Sequence, residues 1–148
     1  GLYGYVMMYR ETGNAAYLNQ ARNIASFLVN HPNMPEDMVP YWDFDSPDIP
    51  EDVRDASAAA IMASALLELS TLDKTRDSKL WYRTAVHQLC SLSSERYQAM
   101  PGTNGGFILM HGTGHKPGNS EIDVPLSYAD YYYIEALIRL KDMITAGR

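Results

Sequence analysis

The chain has 148 residues, 46% of them hydrophobic and 20% charged, with 18 acidic and 12 basic side chains. This is the length of one domain and the composition of a folded protein, which excludes a disordered chain or a membrane span and allows a core without disulfides. The net charge of −6 argues against a nucleic-acid partner, because binding to phosphates requires Lys and Arg on the contact face. The single cysteine, Cys90, cannot form an internal disulfide.

The apolar spacing predicts five helices. The first ends at Gly13, the second covers 14–30, the third is capped by Asp55 or Ser57, the fourth covers 77–97 and the fifth runs from Ser127 to about Ile144. Between the second and third helices, five prolines predict a long ordered loop. A glycine-rich stretch, 102–118, encloses a predicted short strand, Phe107–Met110.

The helices alternate in character along the chain. The first, third and fifth are rich in Gly, Ala and Tyr, which favours enclosed positions, whereas the second and fourth are amphipathic and suit an outer layer. Shifting the fourth helix back by 64 residues places its apolar positions on those of the second, a weak internal repeat. The pattern is typical of stacked helical hairpins, which close into a toroid or extend as a solenoid.

The chain begins with Gly1-Leu2-Tyr3-Gly4-Tyr5 and no capping residue precedes this apolar run, so we expect it to belong to a longer protein. Two and a half hairpins cannot close a ring. We therefore expect apolar surface that the missing N-terminal half of the same chain, or a second copy, would cover.

Carboxylates in loops are the candidates for chemistry. They are Asp43 and Asp45 beside Trp42, Asp55 beside Arg54, and Asp123 and Asp130 around Tyr128. Carboxyl groups with separated pKa values and aromatic faces suit the cleavage of sugars. Structural roles are an alternative for each: Arg54 and Asp55 as an ion pair, Asp55 as a helix N-cap, and Asp130 as a first-turn acid. The four histidines lack a helical metal-ligand spacing, so no metal site is expected.

Three blocks resemble one known family. They are Tyr41-Trp42-Asp43-Phe44-Asp45-x-Pro47, Arg54-Asp55-Ala56-Ser57-Ala58-Ala59-Ala60-Ile61, and Glu121-x-Asp123-Val124-Pro125-Leu126-x-Tyr128-Ala129-Asp130-Tyr131-Tyr132. In this order they look like the C-terminal part of the unsaturated glucuronyl hydrolases, glycoside hydrolase family 88. The resemblance implies an all-α (α/α)6 barrel, with residues 1–148 as the C-terminal portion of a single catalytic domain and about the last five of its twelve helices.

The resemblance also implies an activity. Such enzymes remove the Δ4,5-unsaturated glucuronic acid from the non-reducing end of lyase-generated oligosaccharides, of the glycosaminoglycan type, by hydrating the double bond and without a metal or cofactor. The family's two key aspartates lie upstream, so we expect no catalytic residue in this chain and no activity from it alone. The candidates for the substrate pocket are Trp42, Asp43, Asp55, His111, His115, Lys116, Ser127, Tyr128 and Asp130.

One loop departs from the family pattern. Sulfate-preferring relatives carry Ser-x-x-Ser-x-Lys where this chain has Gly112, His115 and Pro117, with Lys116 adjacent. We therefore expect a preference for unsulfated substrates. Two other hypotheses stay open at this point: a non-catalytic helical-hairpin scaffold that binds a partner, and a related toroid enzyme such as an unsaturated rhamnogalacturonyl hydrolase.

Overall fold

A computed structural model describes residues 1–147 of the chain. It contains five α-helices and two single-turn 3-10 segments, Asn104–Gly106 and Lys116–Gly118. The helices are α1 (Leu2–Thr12), α2 (Ala15–Val29), α3 (Ala56–Leu72), α4 (Ser78–Leu92) and α5 (Ser127–Thr145). None of these five helices combines the length and the apolar content that a membrane span requires.

The helices form two layers, as the alternation predicts. The first layer holds α1, α3 and α5 side by side with α3 in the middle, while α2 packs on α1 and α4 packs on α3. Helix α3 is buried on nearly every face, because neighbours surround it and its small residues allow close approach. Twelve of its side chains are buried, from Ala56 to Leu69.

The predicted capping residues start and stop these helices. The Asn14 side chain accepts a hydrogen bond from the Ala16 backbone N–H at 3.0 Å at the start of α2. At the start of α3, the Asp55 carboxylate accepts one from the Ser57 backbone N–H at 3.0 Å. Gly13 ends α1 in the left-handed conformation (φ 65°), where its N–H donates to the Tyr9 carbonyl at 2.8 Å. These three local signals confirm the predicted boundaries.

The weak repeat reflects equivalent packing. Ala21 and Ala25 of α2 and Ala85 and Leu89 of α4 are all buried, so each outer helix turns the same face toward the inner layer. The opposite faces are exposed.

Two predicted elements are wrong. Helix α4 ends at Leu92, not at residue 97, because the Ser93 hydroxyl donates to the Leu89 carbonyl at 2.7 Å and the chain then turns. Phe107–Met110 is not a strand. It makes one isolated bridge, between Leu109 and Gln98, while the N–H groups of Ile108 and Leu109 donate to the Asp130 carboxylate.

Apolar side chains remain exposed on α1 and α5, the two inner helices at the ends of the row. On α1 they are Tyr5, Met7 and Met8; on α5 they are Tyr128, Tyr131, Ile134, Leu137, Ile138 and Ile144. Solvent-exposed rows of this kind are unusual on a monomer and mark surfaces that bind other protein.

Candidate active site

Three segments of the chain, two loops and the start of α5, converge at the N-terminal end of α3. The first, 37–55, folds back on itself. The backbone N–H of Trp42 donates to the Val53 carbonyl at 3.1 Å, and Tyr41 pairs with Arg54 in an antiparallel bridge. The second, 107–126, joins it where the Ala56 N–H donates to the His111 carbonyl at 3.0 Å. The start of α5 is the third.

An aromatic cleft of about 440 Å³ opens beside this end of α3. Its walls come from the start of α1, the end of α2, the loop 40–45 and the first two turns of α3. Five aromatic side chains line it, and Asp43 and Asp45 lie among them. The five are Tyr3, Phe27, Tyr41, Trp42 and Phe44.

Trp42 is held in this cleft by the buried carboxylate of Asp52. The indole N–H donates to Asp52 Oδ2 at 2.7 Å, and the Ser46 hydroxyl and the Lys116 ammonium also bond to this carboxylate. Lys116 Nζ lies 5.3 Å from the Trp42 ring centroid, which adds a cation–π contact. Burial of the Asp52 carboxylate disfavours its ionised form, but hydrogen bonds from Lys116, Ser46 and the Trp42 indole favour that form more strongly. The pKa of Asp52 is therefore well below its ordinary value. We call this group the Trp42 clamp.

A second group, made by the buried Tyr97 and the half-buried Asp37 and Arg54, also fixes this loop. Asp37 accepts hydrogen bonds from the Tyr97 hydroxyl at 2.8 Å and from Arg54 at 3.0 Å. Burial and the bond to Asp37 raise the pKa of Tyr97 to about 12. Arg54 therefore pairs with Asp37 rather than with Asp55, and its guanidinium lies 4.7 Å from the Tyr41 ring centroid.

Asp55 and Tyr128 lie together at the start of α3. Asp55 Oδ1 accepts from the Ser57 hydroxyl at 2.5 Å and from the Thr113 N–H at 3.3 Å. Burial raises the pKa of Tyr128, with further contributions from the carboxylates of Asp55 and Glu121, while a hydrogen bond with Ser57 opposes them. Asp55 thus caps α3 and ties the glycine-rich loop to it.

His111 pairs with Asp123, with 2.6 Å between Nδ1 and Oδ1. Both residues have left-handed backbone angles (φ 62° and 54°), which few residues other than glycine adopt. The pair borders a small cavity of about 190 Å³ together with Arg54, Arg96 and Tyr97. This cavity is separate from the aromatic cleft, which His111 does not line.

The remaining candidates lie apart from the cleft. Asp130 accepts the backbone N–H groups of Ile108 and Leu109, both at 2.8 Å, and so fixes the loop against α5. His115 is exposed, with its ring against Gly118, and Ser127 is exposed in the first turn of α5. Of the nine candidates, only Trp42 and Asp43 line the aromatic cleft, with Lys116 bound behind Trp42.

Asp52 is the residue that sequence reasoning missed. It stands in an ordinary polar loop, and its role depends on Trp42, Ser46 and Lys116, which only the fold brings together. Within residues 1–147, no three His, Cys, Asp or Glu side chains are grouped as a metal site would need.

No model of a known protein family matches the chain. It is 48% identical over 143 residues to an unsaturated glucuronyl hydrolase of Formosa agariphila, a match that covers 97% of this chain and 35% of that protein. It is 36% identical over 147 residues to an unsaturated glucuronyl hydrolase of Bacillus sp. strain GL1, with 98% and 38% covered. The chain therefore spans little more than a third of the length of these relatives.

Solved structures agree with the sequence comparison. An unsaturated glucuronyl hydrolase specific for heparin superimposes with a TM-score of 0.94 at 49% identity, covering 97% of this chain and 38% of that one. The Bacillus sp. GL1 enzyme superimposes with a TM-score of 0.84 at 32% identity, covering 95% and 37%. The two helical layers are thus one part of an (α/α)6 toroid, the class of protein to which these enzymes belong.

The particular family follows from the same similarities. The chain belongs to the unsaturated glucuronyl hydrolases and corresponds to a C-terminal part of one.

Proposed function

We propose that this chain forms part of the wall and the rim of the substrate pocket in a glycosidase that removes Δ4,5-unsaturated glucuronic acid from lyase-generated oligosaccharides. The observation that carries the proposal is the aromatic cleft at the N-terminal end of α3, in which Trp42 is fixed by a buried carboxylate. The high similarity to unsaturated glucuronyl hydrolases supports it.

The cleft suits a sugar because its walls are mostly apolar and aromatic and carry a few polar groups. Aromatic faces pack against the apolar face of a pyranose ring, and the Asp43 and Asp45 carboxylates accept hydrogen bonds from sugar hydroxyls. The Trp42 indole N–H is already bonded to Asp52, so Trp42 offers its ring rather than its N–H. The clamp keeps this ring in one orientation before the sugar arrives, which lowers the entropic cost of binding.

The proposed reaction hydrates the C4=C5 double bond of the terminal sugar. A carboxyl group donates a proton to C4 while water adds its hydroxyl at C5 and gives its remaining proton to the carboxylate. The hemiketal at C5 then opens the ring, and the hemiacetal left at C1 releases the second sugar as an alcohol. This is general acid and base catalysis. We place the proton donor upstream of this chain, whose own residues bind and orient the sugar.

We also propose a preference for unsulfated substrates. The ammonium group of Lys116, which lies against the Trp42 ring, is bound to Asp52 and lies 3.8 Å from Asp48. The carboxylates of Asp43 and Asp45 line the cleft and would repel a sulfate. A solved Streptococcus agalactiae relative has the sulfated disaccharide dGlcA-GalNAc6S bound, so the two proteins provide a direct comparison.

The exposed apolar rows on α1 and α5 fit the proposed place of the chain in a toroid. In a ring of inner helices, each end helix of this row would pack against a further inner helix. We propose the rest of a longer chain as the partner that covers them. A second copy of this chain is the alternative.

The test is an assay of the longer protein and of the 148-residue chain with an unsaturated glucuronyl disaccharide. Loss of the ultraviolet absorbance of the C4=C5 bond reports hydration. We expect turnover by the longer protein and none by this chain alone. Turnover by the isolated chain would contradict the placement of the proton donor, and inactivity of the longer protein would overturn the proposed function.

A further inference from the structure

A second cleft, of about 620 Å³, lies at the other end of α3. The last turn of α3, the first two turns of α4 and the end of α5 form its walls. The α3 residues that line the two clefts, Ala58 to Met62 and Ser70 to Thr71, are separated by about 12–20 Å along the helix axis. Its lining residues are Ser70, Thr71, Lys74, Ser78, Lys79, Tyr82, Arg83 and Met143.

The lining carries three positive charges and no negative one. Lys74, Lys79 and Arg83 border the cleft, and no Asp or Glu is among its lining residues. This concentration is unusual in a chain with a net charge of −6. We call this feature the basic cleft.

The three cations differ from most others in the chain because no carboxylate neutralises them. Six basic side chains each lie within 4.0 Å of a carboxylate, whereas within residues 1–147 Lys74, Lys79 and Arg83 have no such partner. The six are Arg10, Arg22, Arg54, Arg96, Lys116 and Arg139. Lys74 donates to the Thr71 carbonyl at 2.9 Å, which leaves two of its three ammonium hydrogens for a ligand.

Their placement on α4 is unfavourable without an anion. Lys79 and Arg83 are four residues apart on one helix face, where like charges repel each other. Lys79 also stands in the first turn of α4, near the positive end of the helix dipole, which disfavours a cation. A bound anion would offset both effects.

We infer that the basic cleft is a second binding site, for an anionic oligosaccharide that bears carboxylate or sulfate groups. The three cations would bind the acidic groups, and the Tyr82 ring offers an apolar face to a sugar ring. The hydroxyls of Ser70, Thr71 and Ser78 add hydrogen-bonding groups for sugar hydroxyls. Such a site would hold a polyanionic chain away from the pocket proposed for catalysis, and its existence does not depend on that activity.

The test is binding of a saturated, unsulfated chondroitin tetrasaccharide to the longer protein that carries this chain. This ligand has carboxylates but no C4=C5 bond, so it is not a substrate of the proposed reaction. A neutral tetrasaccharide and inorganic sulfate are the ligand controls. We expect the acidic tetrasaccharide to bind more tightly than either control, with an affinity that falls as salt rises.

Variants locate the site. The double variant Lys79→Gln/Arg83→Gln should raise the Kd at least tenfold, and each single variant about threefold. Lys141→Gln removes an exposed charge outside the cleft and should leave the Kd within twofold. The single variants change exposed side chains, so they remain informative if the double variant does not fold.

Two results would overturn the inference: no binding of the acidic tetrasaccharide, and binding that the variants leave unchanged. In the first case, a lower melting temperature of the double variant would mean that an acidic segment of the longer protein occupies the cleft instead.

Discussion

The indole N–H of Trp42 donates to Asp52 Oδ2 at 2.7 Å, across ten residues of a loop that has no regular secondary structure. The same carboxylate binds Lys116, so two loops distant in sequence meet at one buried charge. The position of the Trp42 ring in the aromatic cleft thus depends on a residue that does not line the cleft.

Asp52→Asn should destabilise the protein by about 1–3 kcal/mol. The substitution leaves the Lys116 ammonium without its buried partner, and the lower end of the range reflects the partial exposure of Lys116. Chemical denaturation measures the free energy of unfolding. Asp48→Asn is the matched control: it removes an exposed carboxylate 3.8 Å from the same ammonium and should change stability by less than about 0.5 kcal/mol. Equal effects of the two variants would refute the role of Asp52.

Stability should fall as the pH drops from about 4 to about 2, partly because of Asp73. Although burial opposes ionisation, hydrogen bonds from Arg22, the Thr75 N–H and Trp81 lower the pKa of Asp73 to about 2. A carboxyl group whose pKa is lower in the folded than in the unfolded state stabilises the fold above its unfolded pKa, and this contribution is lost as pH falls through the folded pKa. The contribution at neutral pH is about 2 kcal/mol.

The check is the unfolding free energy of wild type and Asp73→Asn between pH 7 and pH 2. The variant should be less stable at pH 7 and should lose less stability on acidification. Asp77→Asn, at a nearby exposed carboxylate, should match the wild type. An unchanged pH slope in Asp73→Asn would show that other groups control acid unfolding.

Two glycines should respond to alanine in opposite directions. At Gly112 an added Cβ would stand 2.9 Å from the Val124 carbonyl oxygen and 2.7 Å from Leu126 Cδ1, so Gly112→Ala should cost about 1–3 kcal/mol. At Gly4, within α1, a Cβ meets nothing within 4 Å, so Gly4→Ala should stabilise the helix by about 0.5–1 kcal/mol. Thermal unfolding of both variants gives the two signs. A stabilising Gly112→Ala would contradict the close pairing of this loop with Val124.

Asp130→Ala should loosen the loop before α5. Its carboxylate accepts the N–H groups of Ile108 and Leu109, and their loss leaves two partly buried donors unsatisfied, at a cost of about 2 kcal/mol. Hydrogen exchange at these two amides should speed up. Asp142→Ala, an exposed position on the same helix, serves as the control and should leave their exchange unchanged. Unchanged exchange in Asp130→Ala would contradict the role of its carboxylate.

The sequence predicts the helices better than the loops because helix signals are local. The caps at Asn14 and Asp55 and the apolar spacing of α2 and α5 lie within a few residues of the boundaries they set. The predicted end of α4 is wrong because aromatic Tyr97 continues the helical spacing, although its ring is buried outside the helix and its hydroxyl bonds to Asp37.

The site depends on distant partners. Trp42 and Asp43 could be picked out from their residue types, but no local pattern indicates that Asp52 is buried, that Arg54 pairs with Asp37, or that Asp130 accepts two backbone amides. Each of these contacts joins residues that only the fold brings together. For Asp55, the alternative of a helix N-cap describes what its carboxylate contacts. Asp130 does stand in the first turn of α5, but its bonds to Ile108 and Leu109 are not part of the predicted role.

The most direct test of the account is the kcat/KM of the longer protein for an unsaturated, unsulfated glucuronyl disaccharide, before and after Trp42→Ala. Loss of the aromatic face should lower kcat/KM by about fivefold to thirtyfold, since such contacts contribute about 1–2 kcal/mol. Trp81→Phe, at a buried tryptophan outside the cleft, should keep kcat/KM within about twofold of wild type. Absence of turnover by the unmodified protein, or an unchanged kcat/KM in a folded Trp42→Ala variant, would contradict the proposal that this cleft binds the unsaturated sugar.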